Sequence, residues 1–409
     1  MAPGILIAST SRWFSVARIA MAFGRERFNV DAVCHPGHPV LSTRALRKSY
    51  SYNALTPLHS FRTAILSSKA ELIIPCDDLA MHHLHRLYEL SMNSNGADDS
   101  KHLCKVLECS LGNPAGYSIT ESRDNFMAAV YQEKIRAPET KTLASAEEVE
   151  TWLSKFGFPA VLKADGTSGG EGVKVVHTLQ EARRAYRTLH APLATIVVAK
   201  RACLDRDWNC VRPWLAQRKR AVSIQSFVTG LDANMAIACW QGEILSSISV
   251  KVLQTWKPKG PATIVRLLEN NEMYQAAEKI LRKLKFSGLC GLDFMIDKTT
   301  GAAYLIEMNA RATQTCTLQL GPGRSLITSL CSALTGQPMQ ETPSKIHGET
   351  IALFPLAWHG DTSSQLFQSA HQDVPWEEPE LVRQGFAQPR NLSREKWVRL
   401  FSRMGLPHS

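Results

Sequence analysis

The chain has 409 residues, of which 44% are hydrophobic, and it carries a formal net charge of +10. This composition excludes a chain dominated by disorder and accommodates two or three domains with substantial cores. Ten cysteines occur without any Cys-x-x-Cys pair, so we expect reduced thiols in a cytoplasmic protein rather than a disulfide framework or a zinc site.

Strand and helix patterns alternate at the start of the chain. Apolar runs at 4–10, 30–34 and 72–75 predict three short strands, and residues 14–23 have the apolar spacing of a helix. This order predicts a small α/β domain that ends near residue 115. After the third strand, residues 75–78 either line a ligand cleft or simply begin the next helix, with an aspartate as its cap.

A glycine-rich segment at 158–176 reads as a strand, a loop and a second strand. Lys163 lies near the mouth of this loop, and Gly169 and Gly170 are among the glycines that would let backbone N–H groups approach phosphate oxygens. The segment contains neither a Walker A loop nor a dinucleotide fingerprint. A flexible turn without a ligand is therefore the alternative interpretation.

The middle of the chain is rich in strand patterns, which predict an antiparallel sheet followed by an amphipathic helix at 272–286. The four predicted strands lie at 194–200, 221–227, 234–240 and 243–252. Lys251 and Lys259 lie between this sheet and the helix, and they face either a polyphosphate or solvent.

Residues 291–311 carry the strongest chemical signal. They predict a β-hairpin about Thr300 in which Asp293 faces Glu307 across the ladder, and two facing carboxylates repel unless a cation lies between them. With the neutral oxygen of Asn309 they form a ligand set suited to Mg²⁺ bound to phosphate. The alternative is an ordinary solvated hairpin face. The opposite, core face is predicted to contain Leu292, Phe294 and Ile296 with Tyr304, Ile306 and Met308.

Together, the lysine-bearing glycine loop and the later Asp…Glu-x-Asn-x-Arg hairpin resemble the ATP-grasp superfamily. The resemblance is strongest to the ATP-grasp domains of carbamoyl phosphate synthetase and related carboxylate–amine ligases, and it covers residues 115–335. It implies ATP and Mg²⁺, with Mn²⁺ as a substitute, as cofactors.

The resemblance also implies roles for individual residues. Arg123, Lys163 and the loop glycines would bind nucleotide phosphates, and Arg311 would stabilise the transferred phosphoryl group beside the metal ligands Asp293, Glu307 and Asn309. The segment 224–235 corresponds to the family's hinge. Its adenine contacts would be Gln225, Phe227 and Val228, with Asp232 at the ribose.

The implied fold is α/β, with α+β character in the ATP-grasp part. A Rossmann-like pre-ATP-grasp domain (1–115) would precede a two-subdomain ATP-grasp fold (116–335), whose lid spans about 140–225. Residues 336–409 would form a C-terminal extension packed on it.

The implied activity is an ATP-dependent ligase that joins a carboxylate to an amine or related nucleophile through an acyl phosphate. Another ATP-grasp phosphoryl-transfer reaction, of the carboxy-phosphate or kinase type, and a non-catalytic nucleotide-binding protein are the alternatives. We expect small-molecule carboxylate and amine substrates, no nucleic acid and no membrane, and a homodimer is compatible with the sequence.

Overall fold

The computed structural model describes residues 3–93, 98–166, 172–203, 207–338 and 343–387. In these ranges the chain forms three β-sheets with helices packed on them. We take the sheets in chain order, because the candidate site lies where they meet.

The first sheet has four parallel strands in the order β3-β2-β1-β4. Its strands are β1 (Gly4–Ala8), β2 (Asn29–Cys34), β3 (Leu46–Ser51) and β4 (Leu72–Pro75). The helices of this part are α1 (Ser15–Arg25), α2 (Pro57–Ser68), α3 (Asp78–Met92) and α4 (Asp98–Leu111). The three strands predicted from the first 75 residues are confirmed as β1, β2 and β4. Asp77 caps α3 by accepting a hydrogen bond from the Ala80 amide.

Two helices, α5 (Tyr117–Glu121) and α6 (Arg123–Gln132), lead to a second sheet of four antiparallel strands. Its order is β5-β8-β6-β7, and it consists of β5 (Thr140–Leu143), β6 (Ala160–Ala164), β7 (Val173–Val176) and β8 (Val222–Ser226). The helices of this lid unit are α7 (Glu147–Phe156), α8 (Leu179–His190), α9 (Thr195–Cys203) and α10 (Val211–Leu215).

The third sheet has seven strands in the order β13-β12-β9-β10-β11-β14-β15. They are β9 (Gly230–Trp240), β10 (Glu243–Thr255), β11 (Ala262–Leu267), β12 (Gly288–Asp297), β13 (Ala303–Asn309), β14 (Thr350–Leu353) and β15 (His371–Asp373). Its helices are α11 (Asn271–Leu284), α12 (Leu326–Thr335), α13 (Gln365–Ser369) and α14 (Pro379–Phe386). The C-terminal segment thus adds two strands to this sheet.

The hydrophobic cores distinguish the lid from the rest of the chain. The lid buries its own cluster, which includes Trp152, Leu162 and Ile224. By contrast, Leu6 and Ile73 of the first sheet share one cluster with residues of the seven-stranded sheet. The first and third sheets therefore share one core, whereas the lid has a core of its own.

The strand predicted at 194–200 is wrong, because α9 occupies this stretch. Val198 and Ala202, four residues apart, are buried, while Val197 is exposed. This is the spacing of a helix that packs on one face. The β-branched run suggested a strand, but burial in the folded chain follows the helical period.

The hairpin formed by β12 and β13 has the predicted pairing at its polar end, with Asp293 opposite Glu307. The predicted core face of β13 is wrong for Tyr304 and Ile306, whereas Met308, which pairs with Leu292, packs against the core as predicted. A register shift follows this pair, so that Phe294 pairs with Leu305 and Met295 with Tyr304. Leu305 is fully buried instead of its neighbours Tyr304 and Ile306. A β-bulge of one residue exchanges the two faces of a strand, which strict alternation cannot anticipate.

Candidate active site

Asp293 lies at the centre of the site and is held by two amides. Asn234 of β9 donates a hydrogen bond of 2.5 Å to its Oδ1, and Asn309 donates one of 3.1 Å to its Oδ2. Burial, and then the charge of Glu307, raise the pKa of Asp293 to about 7. The carboxylate conflict predicted for this hairpin is therefore present in the folded chain.

The pKa of Glu307 is shifted in the opposite direction to that of Asp293. Burial acts to raise the pKa of its carboxyl, but Lys163 and Arg123 more than offset this effect and hold the pKa below its usual value. Nη2 of Arg123 lies 3.3 Å from Oε2 of Glu307. The two facing carboxylates therefore differ in protonation. Glu307 is ionised at neutral pH beside its cations, whereas Asp293, with a pKa of about 7, is partly protonated there.

Lys163 extends from β6 of the lid towards these carboxylates. It is only 7% exposed, and burial lowers the pKa of its ammonium to about 8, with Arg123 and Lys259 acting in the same direction and Glu307 and Asp293 against it. A buried lysine whose pKa lies so near neutral pH is typical of functional sites.

Arg123 connects the lid to the hairpin formed by β12 and β13. It is the first residue of α6, which Ser122 caps through the Asn125 amide. One guanidinium nitrogen, Nη1, lies 3.3 Å from Ser223 Oγ and 3.2 Å from Asp165 Oδ1, while Nη2 bonds to Glu307. Ser223 and Asp165 belong to the lid, so this arginine links lid and hairpin directly.

Arg311 follows β13 and turns towards the first sheet. Its Nε lies 2.8 Å from Oδ1 of Asp78, at the start of α3, and its Nη2 donates to Asn309 Oδ1 at 2.9 Å. Burial acts to lower the pKa of the guanidinium, but Asp78 raises it overall. The structure therefore places Arg311 between the hairpin and the carboxyl end of β4.

The predicted hinge joins β8 to β9, close to the same site. Gln225 is 2% exposed and donates a 2.9 Å hydrogen bond to Thr140. Phe227 and Val228 lie in the connection itself, where the ammonium of Lys259 is 5.9 Å from the Phe227 ring centre. Asp232 pairs with Met295 in the ladder, two residues from the Asn234–Asp293 pair. The adenine and ribose roles of these residues stay predictions.

Gly169 and Gly170 of the predicted phosphate loop lie outside the described residues. On either side of residues 167–171 the chain is paired, since the amide of Ala164 donates to the carbonyl of Gly172. Gly172 is followed by Val173, which pairs with Lys163 between β7 and β6.

A divalent cation fits the chemistry of the donor set. Asp293 and Glu307 supply two carboxylates, and Mg²⁺ is commonly held by one or two carboxylates together with substrate phosphates. In the described part of the chain no group of three or more His, Cys, Asp or Glu side chains is placed to hold a metal, so phosphate oxygens would complete the coordination. Asn309 presents its amide nitrogen to Asp293, and a rotation of the amide would direct its oxygen there.

Two residues of the site were not assigned from sequence: Asn234 reaches Asp293 from 59 residues away, and Ser223 reaches Arg123 from 100 residues away. Asp78, which contacts Arg311, lies in the segment 75–78 for which the sequence left a ligand cleft and a helix start as alternatives. The polar Asn234 at the start of an otherwise apolar strand was the one detectable signal. Lys259, which could equally have faced solvent, lies near Lys163 and Phe227.

Comparisons with known proteins agree with this architecture. Residues 220–345, which include the hairpin, match the family described as carbamoyl-phosphate synthase L chain, ATP binding domain. The carbamoyl phosphate synthase large chain of Pseudothermotoga lettingae is 23% identical over 248 residues, which are 57% of this chain and 20% of that protein. The chain spans about a fifth to a quarter of the length of such relatives.

Two solved structures are similar over most of the chain. The biotin carboxylase domain dimer of Hydrogenobacter thermophilus 2-oxoglutarate carboxylase, in complex with MgADP, ADP and bicarbonate, has a TM-score of 0.59 at 14% identity, covering 83% of this chain and 71% of that one. Carboxyaminoimidazole ribonucleotide synthase of Aspergillus clavatus, complexed with ATP, has a TM-score of 0.58 at 11% identity, covering 83% and 78%.

The solved structures show that the chain has the fold of the ATP-grasp enzymes. The family model and the sequence relatives confirm the resemblance to the ATP-binding domains of carbamoyl phosphate synthase that the sequence predicted. In the described ranges, no helix is both long enough and apolar enough to span a membrane.

Proposed function

We propose that this protein is an ATP-dependent ligase that activates a carboxylate as an acyl phosphate and joins it to an amine or related nucleophile, releasing ADP and phosphate. The observation that carries the proposal is the convergence of Lys163, Arg123 and Arg311 on the carboxylates Asp293 and Glu307. Cations around a partly buried acidic pair are suited to a metal–polyphosphate complex.

Each cation has a distinct position in this proposal. Lys163 and Arg123, on the lid side, would bind the nucleotide phosphates, and Mg²⁺ held by Asp293, Glu307 and Asn309 would neutralise charge on the phosphates. Arg311, on the side of the first sheet, would hold the phosphoryl group as it passes to the acceptor. The N-terminal sheet then serves as the pre-ATP-grasp domain, with the acceptor carboxylate near the carboxyl end of β4.

In the proposed reaction the lid would exclude water from the acyl phosphate. A carboxylate is a poor electrophile, and an acyl phosphate reacts with an amine only if water is kept away from it. The lid packs its own core and reaches the site through Lys163 and Arg123, so it can close over bound nucleotide without repacking the main body. We propose that the loop containing Gly169 and Gly170 completes this closure.

Activation of bicarbonate as carboxy-phosphate is the second candidate. Two observations favour it: the sequence relatives include carbamoyl phosphate synthases, and one structural neighbour was solved with bicarbonate. Phosphate release from ATP that requires bicarbonate but no other carboxylate would favour this candidate. Release that requires a carboxylate together with an amine would favour the ligase.

The variant Glu307→Gln tests the proposed site itself. It keeps the size of the side chain but removes the charge opposite Asp293, so we expect a loss of at least 100-fold in ATP-dependent phosphate release, as for removal of a key electrostatic group. Glu278→Gln on the exposed face of α11 is the matched control. Full activity in Glu307→Gln, with the control also active, would disprove the assignment.

Sedimentation of the wild type at several concentrations would test the homodimer.

A further inference from the structure

A cavity of about 370 Å³ is present in the described part of the chain. It is formed by the C-terminal end of α1, the segment 316–321, the start of α12 and Lys345. Its volume is in the range that accommodates small metabolites. None of the residues proposed above for nucleotide, metal or phosphoryl transfer lines it.

The charged lining of this cavity is mainly basic. Arg25, Arg27 and Lys345 contribute three cations, against the single carboxylate of Glu26. Glu26 is engaged elsewhere, because its Oε1 accepts a 2.7 Å hydrogen bond from the Thr328 hydroxyl in the first turn of α12. The remaining charge of the lining therefore favours an anionic occupant.

The carboxylate of Glu377 already lies beside these cations. Its carboxylate forms an ion pair with Arg25, and Arg25 and Lys345 both lower the pKa of Glu377. This glutamate comes from the C-terminal segment and is itself 46% exposed in its side chain. An exposed pair of this kind contributes little stability, so a soluble anion can displace it.

We propose that the cavity is a binding site for a small polyanion, bearing a phosphate or several carboxylate groups, and that Glu377 competes with this ligand. The anion would contact Arg25, Arg27 and Lys345 through charge-assisted hydrogen bonds.

The cavity is connected to the candidate active site through the chain itself. Cys316 lines the cavity and lies five residues after Arg311. Between them, the amide of Ala312 donates a 3.0 Å hydrogen bond to the carbonyl of Pro75, next to the helix that carries Asp78. This short segment therefore links the lining of the cavity to the surroundings of Arg311.

The test is titration of the full chain with inorganic phosphate and, separately, with citrate, followed by calorimetry and thermal unfolding. Lys345→Gln and Arg27→Gln should each weaken binding about tenfold, the effect of one charge-assisted hydrogen bond. Glu377→Gln should tighten binding several-fold, because it removes the competing carboxylate. Lys279→Gln, an exposed change of the same charge on α11, should leave binding unchanged.

The nucleotide site also has cations, and a further variant separates the two. Binding that survives Lys163→Ala but is weakened by Lys345→Gln supports the cavity. Binding that is lost in Lys163→Ala and kept in Lys345→Gln places the anion at the nucleotide phosphates and overturns the proposal. Affinity that does not increase in Glu377→Gln overturns it as well. Comparison of phosphate with citrate identifies the preferred anion.

Discussion

Replacing Asp293 with asparagine should make the ligand-free protein more stable. Burial and Glu307 raise the pKa of Asp293 from 3.8 to about 7, so the native state binds a proton more tightly than the unfolded chain does. The free energy of unfolding then decreases as the pH rises from the unfolded pKa to the folded one. The loss of stability caused by ionising Asp293 in the folded protein reaches its full size above about pH 7 and is absent in strong acid.

The size of the effect follows from this shift. A change from 3.8 to about 7 corresponds to ~4 kcal/mol at 1.36 kcal/mol per pKa unit. Asp293 is partly open to solvent, which screens its charge, so we expect Asp293→Asn to recover about half of that, ~2 kcal/mol at pH 8. In a chain of this size that gain raises Tm by about 2 °C.

The assay is thermal unfolding of the wild type, Asp293→Asn and the control Asp99→Asn, at pH 5 and pH 8, with and without MgADP. The advantage of Asp293→Asn should be largest at pH 8 and shrink at pH 5, where the wild-type carboxyl is protonated. The same variant should lose most of the stabilisation that MgADP gives to the wild type. A variant that is no more stable than the wild type at pH 8, or whose gain does not change with pH, would refute the reasoning.

Three further predictions concern the cations and the lid. The affinity for MgADP should fall above about pH 8, where Lys163 loses its charge, and become independent of pH in Lys163→Arg; a fall that persists in this variant would assign the titration to another group. Arg311→Lys should lower kcat at least tenfold with little change in the Kd for ATP, since a lysine cannot reproduce the paired geometry of the guanidinium; equal losses in both would make Arg311 a nucleotide ligand. Tyr52, directly after β3, donates a 2.8 Å hydrogen bond to Asn209 of the lid unit, so Tyr52→Phe should accelerate hydrogen exchange in α9 and α10 about fivefold, for ~1 kcal/mol lost. Unchanged exchange would show that this bond does not restrain the lid.

The sequence predicted those features of the fold that depend on neighbouring residues. The pairing of Asp293 with Glu307 is local to one hairpin, and alternation was enough to find it. The bulge that follows was not predictable, because it is set by the packing of Leu305 against residues far away in the chain. The helix α9 was mistaken for a strand for a similar reason: its β-branched residues carry a local preference that tertiary packing overrides.

The candidate site was predicted in part by chemistry and in part by resemblance. Repulsion between Asp293 and Glu307 required a cation, and this could be argued from residue types alone. The positions of Lys163 and Arg123 came from resemblance, and the structure brings both near Glu307. The contact of Asn234 with Asp293 could not be foreseen, since only the pairing of β9 with the hairpin brings the two together. The segment that contains Asp78 was offered as the lining of a cleft, but its contact with Arg311 was not predicted.

The three-way contact of Arg123 has a consequence for turnover. Its guanidinium already bonds to the carboxylates of Asp165 and Glu307. Under the proposed function, in which Arg123 binds nucleotide phosphates, ATP binding would be an exchange: incoming phosphate oxygens would replace resident carboxylates at the guanidinium. The same carboxylates would be available to recapture Arg123 when the reaction ends, and they would thereby assist the departure of ADP.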